Sequence, residues 1–137
     1  MVRSKPMCTT AVHDAPPLRN IRVSALESDV QVPIVRELTR RGLRFCHVPN
    51  GGFRNILTAI GLRAAGVRSG VPDILIFDRV PTRPDVRGIA LEVKRARGGK
   101  VSDNQREWLE VLTGLGWECR VVYSDADVRL LLDRLGL

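Results

Sequence analysis

Glu92 and Lys94 lie two residues apart in LEVK (91–94), within an apolar run that reads as a strand. Side chains at i and i+2 of a strand share a face, so carboxylate and ammonium project side by side while Leu91 and Val93 face the other way. A charged pair on a central strand is costly unless it is paired, solvated or part of a site. Asp73 opens the preceding strand-like run, DILIF. An ordinary hairpin through 79–88 brings residue 78 near 89 and residue 73 near 94. Asp73 is then expected opposite Lys94 and diagonal to Glu92, on the same face. Two carboxylates are hard oxygen ligands suited to Mg²⁺. Such a metal polarises a phosphodiester and activates water. A lysine beside it can orient that water or offset negative charge as it grows. The same trio also reads as a structural salt-bridge cluster on a sheet face.

The elements that must position the trio follow from periodicity. Leu26, Val30, Ile34 and Leu38 recur every four residues and predict a helix over 25–41. Ser24 with Glu27 has capping-box spacing, and Gly42 ends the helix. Pro33 is expected to kink it or to push its start later, with Ser28 as the alternative cap. LRFCHV (43–48) predicts a strand and PNGGFR (49–54) a turn. Helix is expected over 55–65, then a glycine-punctuated loop (66–73) and a buried strand, ILIF (74–77). A loop with two prolines precedes the strand IALEVKR (89–95). Ser102 opens a helix through Leu115, again with capping-box spacing, here to Gln105. WECRVVYS (117–124) predicts a strand and 125–135 a last helix, with Ser124 as cap and Val128, Leu131, Leu132 and Leu135 facing inward. The order α-β-α-β-β-α-β-α predicts one mixed sheet flanked by helices.

The 137 residues suffice for one domain with a real core. Residues 1–22 carry Pro6, Pro16 and Pro17 without periodicity and are expected to form a loose basic arm before a single domain over 23–137. No apolar run approaches the ~18–20 residues of a membrane span, and no signal-peptide core is visible. Cys8, Cys46 and Cys119 form no CxxC pair, which argues against a disulfide framework or zinc site and fits a reducing cytosol. The net charge of +7 favours an anionic partner, with nucleic acid first. The excess of 19 arginines over 3 lysines also fits a GC-rich genome.

GVPD and LEVK together resemble the PD-(D/E)XK nuclease signature. The wider text is more specific. NGGFR (50–54), SGVPD (69–73), LEVKRARGGKVSDNQREWL (91–109) and GW (116–117) are similar, in order, to the virus-type replication-repair nuclease (VRR-NUC) family. The resemblance spans about residues 24 to 130. It implies a restriction-endonuclease-like fold and Mg²⁺- or Mn²⁺-dependent cleavage of DNA. Asp73, Glu92 and the Val93 carbonyl would ligate metal, and Lys94 would be catalytic. Glu27 matches an acidic residue on the first helix, with Gln31 one turn on as its rival. Gln105 matches the glutamine of SxxQxxW (Ser102, Gln105, Trp108). Glu27 and Gln105 also sit where a capping box would put them. Stand-alone members imply a homodimeric four-way (Holliday) junction resolvase, in a bacterial cell or its phage. Alternatives are a flap, nick or duplex-end nuclease, or a branched-DNA binder that does not cut.

Further residues are read for contact with branched or double-stranded DNA. Asn50 and Arg54 lie in the NGG turn, and Arg68 and Ser69 precede GVPD. Arg95, Arg97 and Lys100 surround Gly98 and Gly99 just beyond LEVK. Each set also reads as a solvated loop. His47 and Cys46 are too few for a metal site and are read as structural. Trp108 and Trp117 are read as core rather than as base-stacking platforms, since only 4% of the residues are aromatic.

Overall fold

A computed structural model describes residues 27–49 and 56–137. The expected arm, the Ser24 cap, Asn50 and Arg54 lie outside the described residues. The elements are α1 (Glu27–Arg40), β1 (Phe45–His47), α2 (Ile56–Ala64), β2 (Ile74–Ile76), β3 (Ile89–Val93), α3 (Asp103–Gly114), β4 (Glu118–Val122) and α4 (Asp125–Leu135). Their order is the expected one. They build a four-stranded mixed sheet ordered β1-β2-β3-β4. The β1–β2 and β2–β3 pairs are antiparallel and β3–β4 is parallel. The parallel step is a right-sized crossover through α3.

Residues of β3 are buried on both faces, as a central strand requires. Ile89, Leu91 and Val93 belong to the apolar cluster with Ile34 and Leu38 of α1, Ile74 and Ile76 of β2, and the inward stripe of α4. That stripe is Val128, Leu131, Leu132 and Leu135, as the spacing predicts. Ser124 caps α4 through the Asp127 amide, and Gly136 closes it with φ +77°. Ala90, Glu92 and Lys94 alternate onto the other face of the sheet.

Three expectations change. The hairpin register is offset by two residues: Ile76 pairs with Ile89 and Ile74 with Leu91. Residues 77–88 take up the difference, because Val80 and Val86 are buried and draw the connection into the core rather than into a tight hairpin. Pro33 lies inside α1, which runs on to Arg40 without a later start at Ser28. Ile34 and Leu38, both fully buried, hold the helix across the lost backbone donor. Neither tryptophan is in the buried core. Trp117 is half-buried and meets Phe77 edge-to-face, ring centroids 6.2 Å apart. Trp108 is half-buried on α3, a helix without a fully buried residue.

Candidate active site

Asp73 sits one residue before β2. Continuing the observed register places it across from Glu92, not Lys94. An offset of two keeps the face, so the carboxylates still share one side of the sheet. Asp73 takes over where the β2 ladder stops: its Oδ2 accepts the Val93 amide at 2.8 Å. Its own carbonyl accepts the Val48 amide at 2.8 Å and is 2.9 Å from His47 Nδ1. The residue is thus pinned from β1 and from β3. His47, read as structural, supports Asp73; its distance along the chain hid that contact.

Glu92 is completely buried and Lys94 is 5% exposed. Lys94 Nζ is 2.7 Å from Glu92 Oε1. Gln105 Nε2 donates to the same oxygen. Glu92 Oε2 is buried and has no hydrogen-bond partner among the described residues. Burial pushes the Glu92 carboxyl up to about 7; Lys94 opposes the shift and the charge of Asp73 adds to it.

Gln105 joins this cluster to α3. Its Oε1 accepts the Ser102 amide at 2.8 Å while its own amide donates to Ser102 Oγ at 3.3 Å. This is a complete capping box. The free end of the same side chain reaches Glu92. One side chain thus meets both elements: its oxygen caps the helix and its nitrogen donates to Glu92.

The loop before Asp73 is clasped to α3. Ser69 Oγ accepts from Asn104 Nδ2 at 3.2 Å, and the Ser69 carbonyl accepts Trp108 Nε1–H at 3.1 Å. Gly70 has φ +88°, and a Cβ there would fall 2.7 Å from the Asn104 backbone. Only glycine allows that approach. Asp73 and Gln105, each close to this clasp in sequence, are held at a set separation.

The basic candidates lie around the cluster in sequence. Arg95 is half-buried, and Arg97, Lys100 and Arg68 are exposed. Gly98 has φ +74°, and a Cβ on Gly99 would lie 2.5 Å from the Arg95 carbonyl oxygen and 3.1 Å from Lys94 Cβ. This loop therefore folds back on Lys94. Arg68 Nη1 donates to the Arg63 carbonyl at 3.1 Å. Glu27 starts α1, and Gln31 is half-buried on that helix. Glu37, not singled out from the sequence, is buried in a separate cluster with Arg40 and Arg41.

No group of three or more His, Cys, Asp or Glu side chains converges among the described residues. The donors that do meet are nonetheless hard oxygens. A buried carboxylate oxygen without a donor, facing a second carboxylate, is a disposition that a divalent cation relieves. The Val93 amide points at Asp73, and in an extended strand the carbonyl of the same residue faces the same side, past the end of β2. Asp73, Glu92 and this carbonyl fit a small oxygen-ligated cation.

The VRR-NUC domain model matches residues 25–126. A solved structure described as a VRR_NUC domain protein superposes with a TM-score of 0.65 at 20% identity, covering 82% of this chain and 90% of that one. At that identity the likeness concerns the fold. No curated protein matches the chain. Among the described residues, no helix is long and apolar enough to cross a membrane. The model match covers most of the chain, through both the Asp73 loop and the Glu92–Lys94 strand, and the chain belongs to the VRR-NUC domain family, a nuclease family of the PD-(D/E)XK type.

Proposed function

We propose that the chain is a Mg²⁺- or Mn²⁺-dependent endonuclease that hydrolyses DNA phosphodiester bonds at the Asp73–Glu92–Lys94 cluster. The observation that carries this is the buried Glu92, with one oxygen on Lys94 and Gln105 and the other without a donor. Asp73, Glu92 and the Val93 carbonyl would hold the cation, which supplies Lewis-acid stabilisation of charge on the phosphate. Lys94 holds the attacking water in line and offsets the negative charge that grows as its oxygen bonds to phosphorus. The bond to the leaving ester oxygen breaks as that new bond forms, and the proton lost by the water balances the one the leaving oxygen gains. Gln105 positions Glu92. Glu27 is assigned to the same site from the first helix. Asn50, Arg54, Arg68, Ser69, Arg95, Arg97 and Lys100 are assigned to the DNA backbone, which an overall charge of +7 attracts. The Ser69 hydroxyl accepts from Asn104, which leaves its proton to donate to a phosphate.

The preferred substrate in this reading is a four-way junction cut by a homodimer. A twofold dimer presents two equivalent sites to two equivalent strands. The test is a panel of end-labelled DNAs (junction, flap, nicked and plain duplex) with Mg²⁺, Mn²⁺ or EDTA, beside the Lys94→Ala variant. Paired, symmetric, metal-dependent cuts near the junction centre, absent in the variant, are expected. Light scattering should give the mass of two chains. Junction binding without product under any metal would replace the enzyme with a binding module. A monomer that cuts flaps or duplex ends would replace the resolvase.

A further inference from the structure

Trp108 is neither core nor fully exposed, and two cavities share it. One, of about 390 Å³, is walled by Val48, Leu62, Val67 and Val71 with Trp108, and Arg68 stands at it. The other, of about 330 Å³, is lined by Arg68, Ser69, Asn104, Glu107, Trp108 and Val111. The indole is not free to turn, because its N–H is spent on the Ser69 carbonyl at 3.1 Å. Val67 is 36% exposed although apolar. The wall adjoins the catalytic cluster: Val71 is two residues from Asp73, and the Val48 amide binds the Asp73 carbonyl. A fixed indole beside an apolar cavity, with a guanidinium at the same place, has the chemistry of a nucleotide seat. The ring and the valines take a base, and the cation takes its phosphate.

We propose that this Trp108 pocket receives an unpaired nucleobase of the DNA substrate, with Arg68 on the adjoining phosphate. The proposal rests on the nuclease reading and deepens it, because it makes the preferred substrate a DNA with an unpaired or readily splayed nucleotide beside the scissile bond. A paired base is already stacked and cannot enter without flipping, whereas a base at a branch point enters at low cost. Charge complementarity favours this occupant over an apolar peptide, since Arg68 lines both cavities, Glu107 lines only the smaller, and the chain carries a net charge of +7.

The test measures binding of the full chain in EDTA by fluorescence anisotropy, so that turnover plays no part. The two probes are a plain duplex and the same duplex carrying a three-nucleotide unpaired flap. The variants are Val67→Glu, which puts a charge on the exposed apolar wall, Trp108→Ala, and Trp108→Phe, which keeps a ring. Val67→Glu and Trp108→Ala should bind the flap about tenfold more weakly. Both should bind plain duplex like the parent protein, and Trp108→Phe should stay close to the parent on both probes. Equal loss on the two probes overturns the proposal, as does no loss on either. A lowered melting temperature with unchanged affinities also overturns it, because the pocket would then be packing surface for this chain's own residues. If the parent protein cuts DNA with metal while the pocket variants bind normally, the pocket alone fails. If the parent protein binds a four-way junction but neither of these probes, the pocket fails; if it binds none of the three, the nuclease reading fails first.

Discussion

The amide of Gln105 has two ends, and each meets a different element. Its oxygen completes the cap of α3, and its nitrogen donates to buried Glu92. Gln105→Glu separates the two. A carboxylate still accepts the Ser102 amide, so α3 should keep its cap and its far-UV circular dichroism. The donor to Glu92 is replaced by a like charge, and cleavage should fall at least about tenfold, the worth of one hydrogen bond to a charged group. Gln105→Ala should lose the rate and, in addition, about 0.5–1 kcal/mol of stability, because the Ser102 amide loses its acceptor while Ser102 Oγ still caps the residue-105 amide. A Gln105→Glu protein that cuts at the parent rate would sink the positioning role. Glu92 and Lys94 were legible because a strand's two-residue period leaves them no choice of face. The double use of Gln105 was not, because helix cap and active-site donor require the same spacing. The contact of His47, read as structural, with the Asp73 carbonyl was not legible for a different reason: it depends on how β1 pairs with β2.

The clasp between the Asp73 loop and α3 belongs to the scale of elements. Gly70→Ala would force a side chain into φ +88° and onto the Asn104 backbone at 2.7 Å. It should cost about 2 kcal/mol or more in urea unfolding and slow cleavage by moving Asp73 away from Gln105. Gly61 gives the opposite sign. It lies within α2, and a Cβ there meets nothing within 4 Å. Gly61→Ala should therefore stabilise the protein by about 0.5–1 kcal/mol. Similar unfolding midpoints for the two variants would contradict both assignments. At this scale every helix and strand was legible in order and type, since amphipathic periods and glycine punctuation mark them. The β2–β3 register was not. It depends on how many residues the 77–88 connection absorbs, and the burial of Val80 and Val86 decides that.

At the scale of the whole molecule, an ion cluster around the buried Glu37 ties the first helix to the last. Glu37 accepts Arg40 Nη2 and Arg41 Nε, each at 2.7 Å. Arg41 reaches Asp133 of α4 at 2.8 Å and the Leu137 carbonyl at 2.5 Å. The two arginines, Arg40 first, hold the Glu37 carboxyl at about 2, below its usual 4.5. A depressed folded-state value stabilises the protein above the unfolded value, and that contribution is lost as pH falls toward the folded one. Stability should therefore drop between about pH 4.5 and pH 2. Glu37→Gln should be less stable at neutral pH, with a flatter curve across that window. Parallel acid-unfolding curves for parent and variant would show that Glu37 does not carry this dependence. An ExxRR run on a helix reads as an ordinary solvated face, so nothing local in the sequence marked Glu37 as buried. The family context, by contrast, was visible because its motifs recur in order along most of the chain.

Catalysis at Glu92 is tested most directly by cleavage of end-labelled branched DNA by the parent protein and by Glu92→Gln, each with Mg²⁺ or EDTA, alongside their DNA affinity in EDTA. Mg²⁺-dependent product is expected from the parent protein alone, with folding and affinity retained in the variant. Cleavage by Glu92→Gln at the parent rate, or by the parent protein in EDTA, would contradict this expectation.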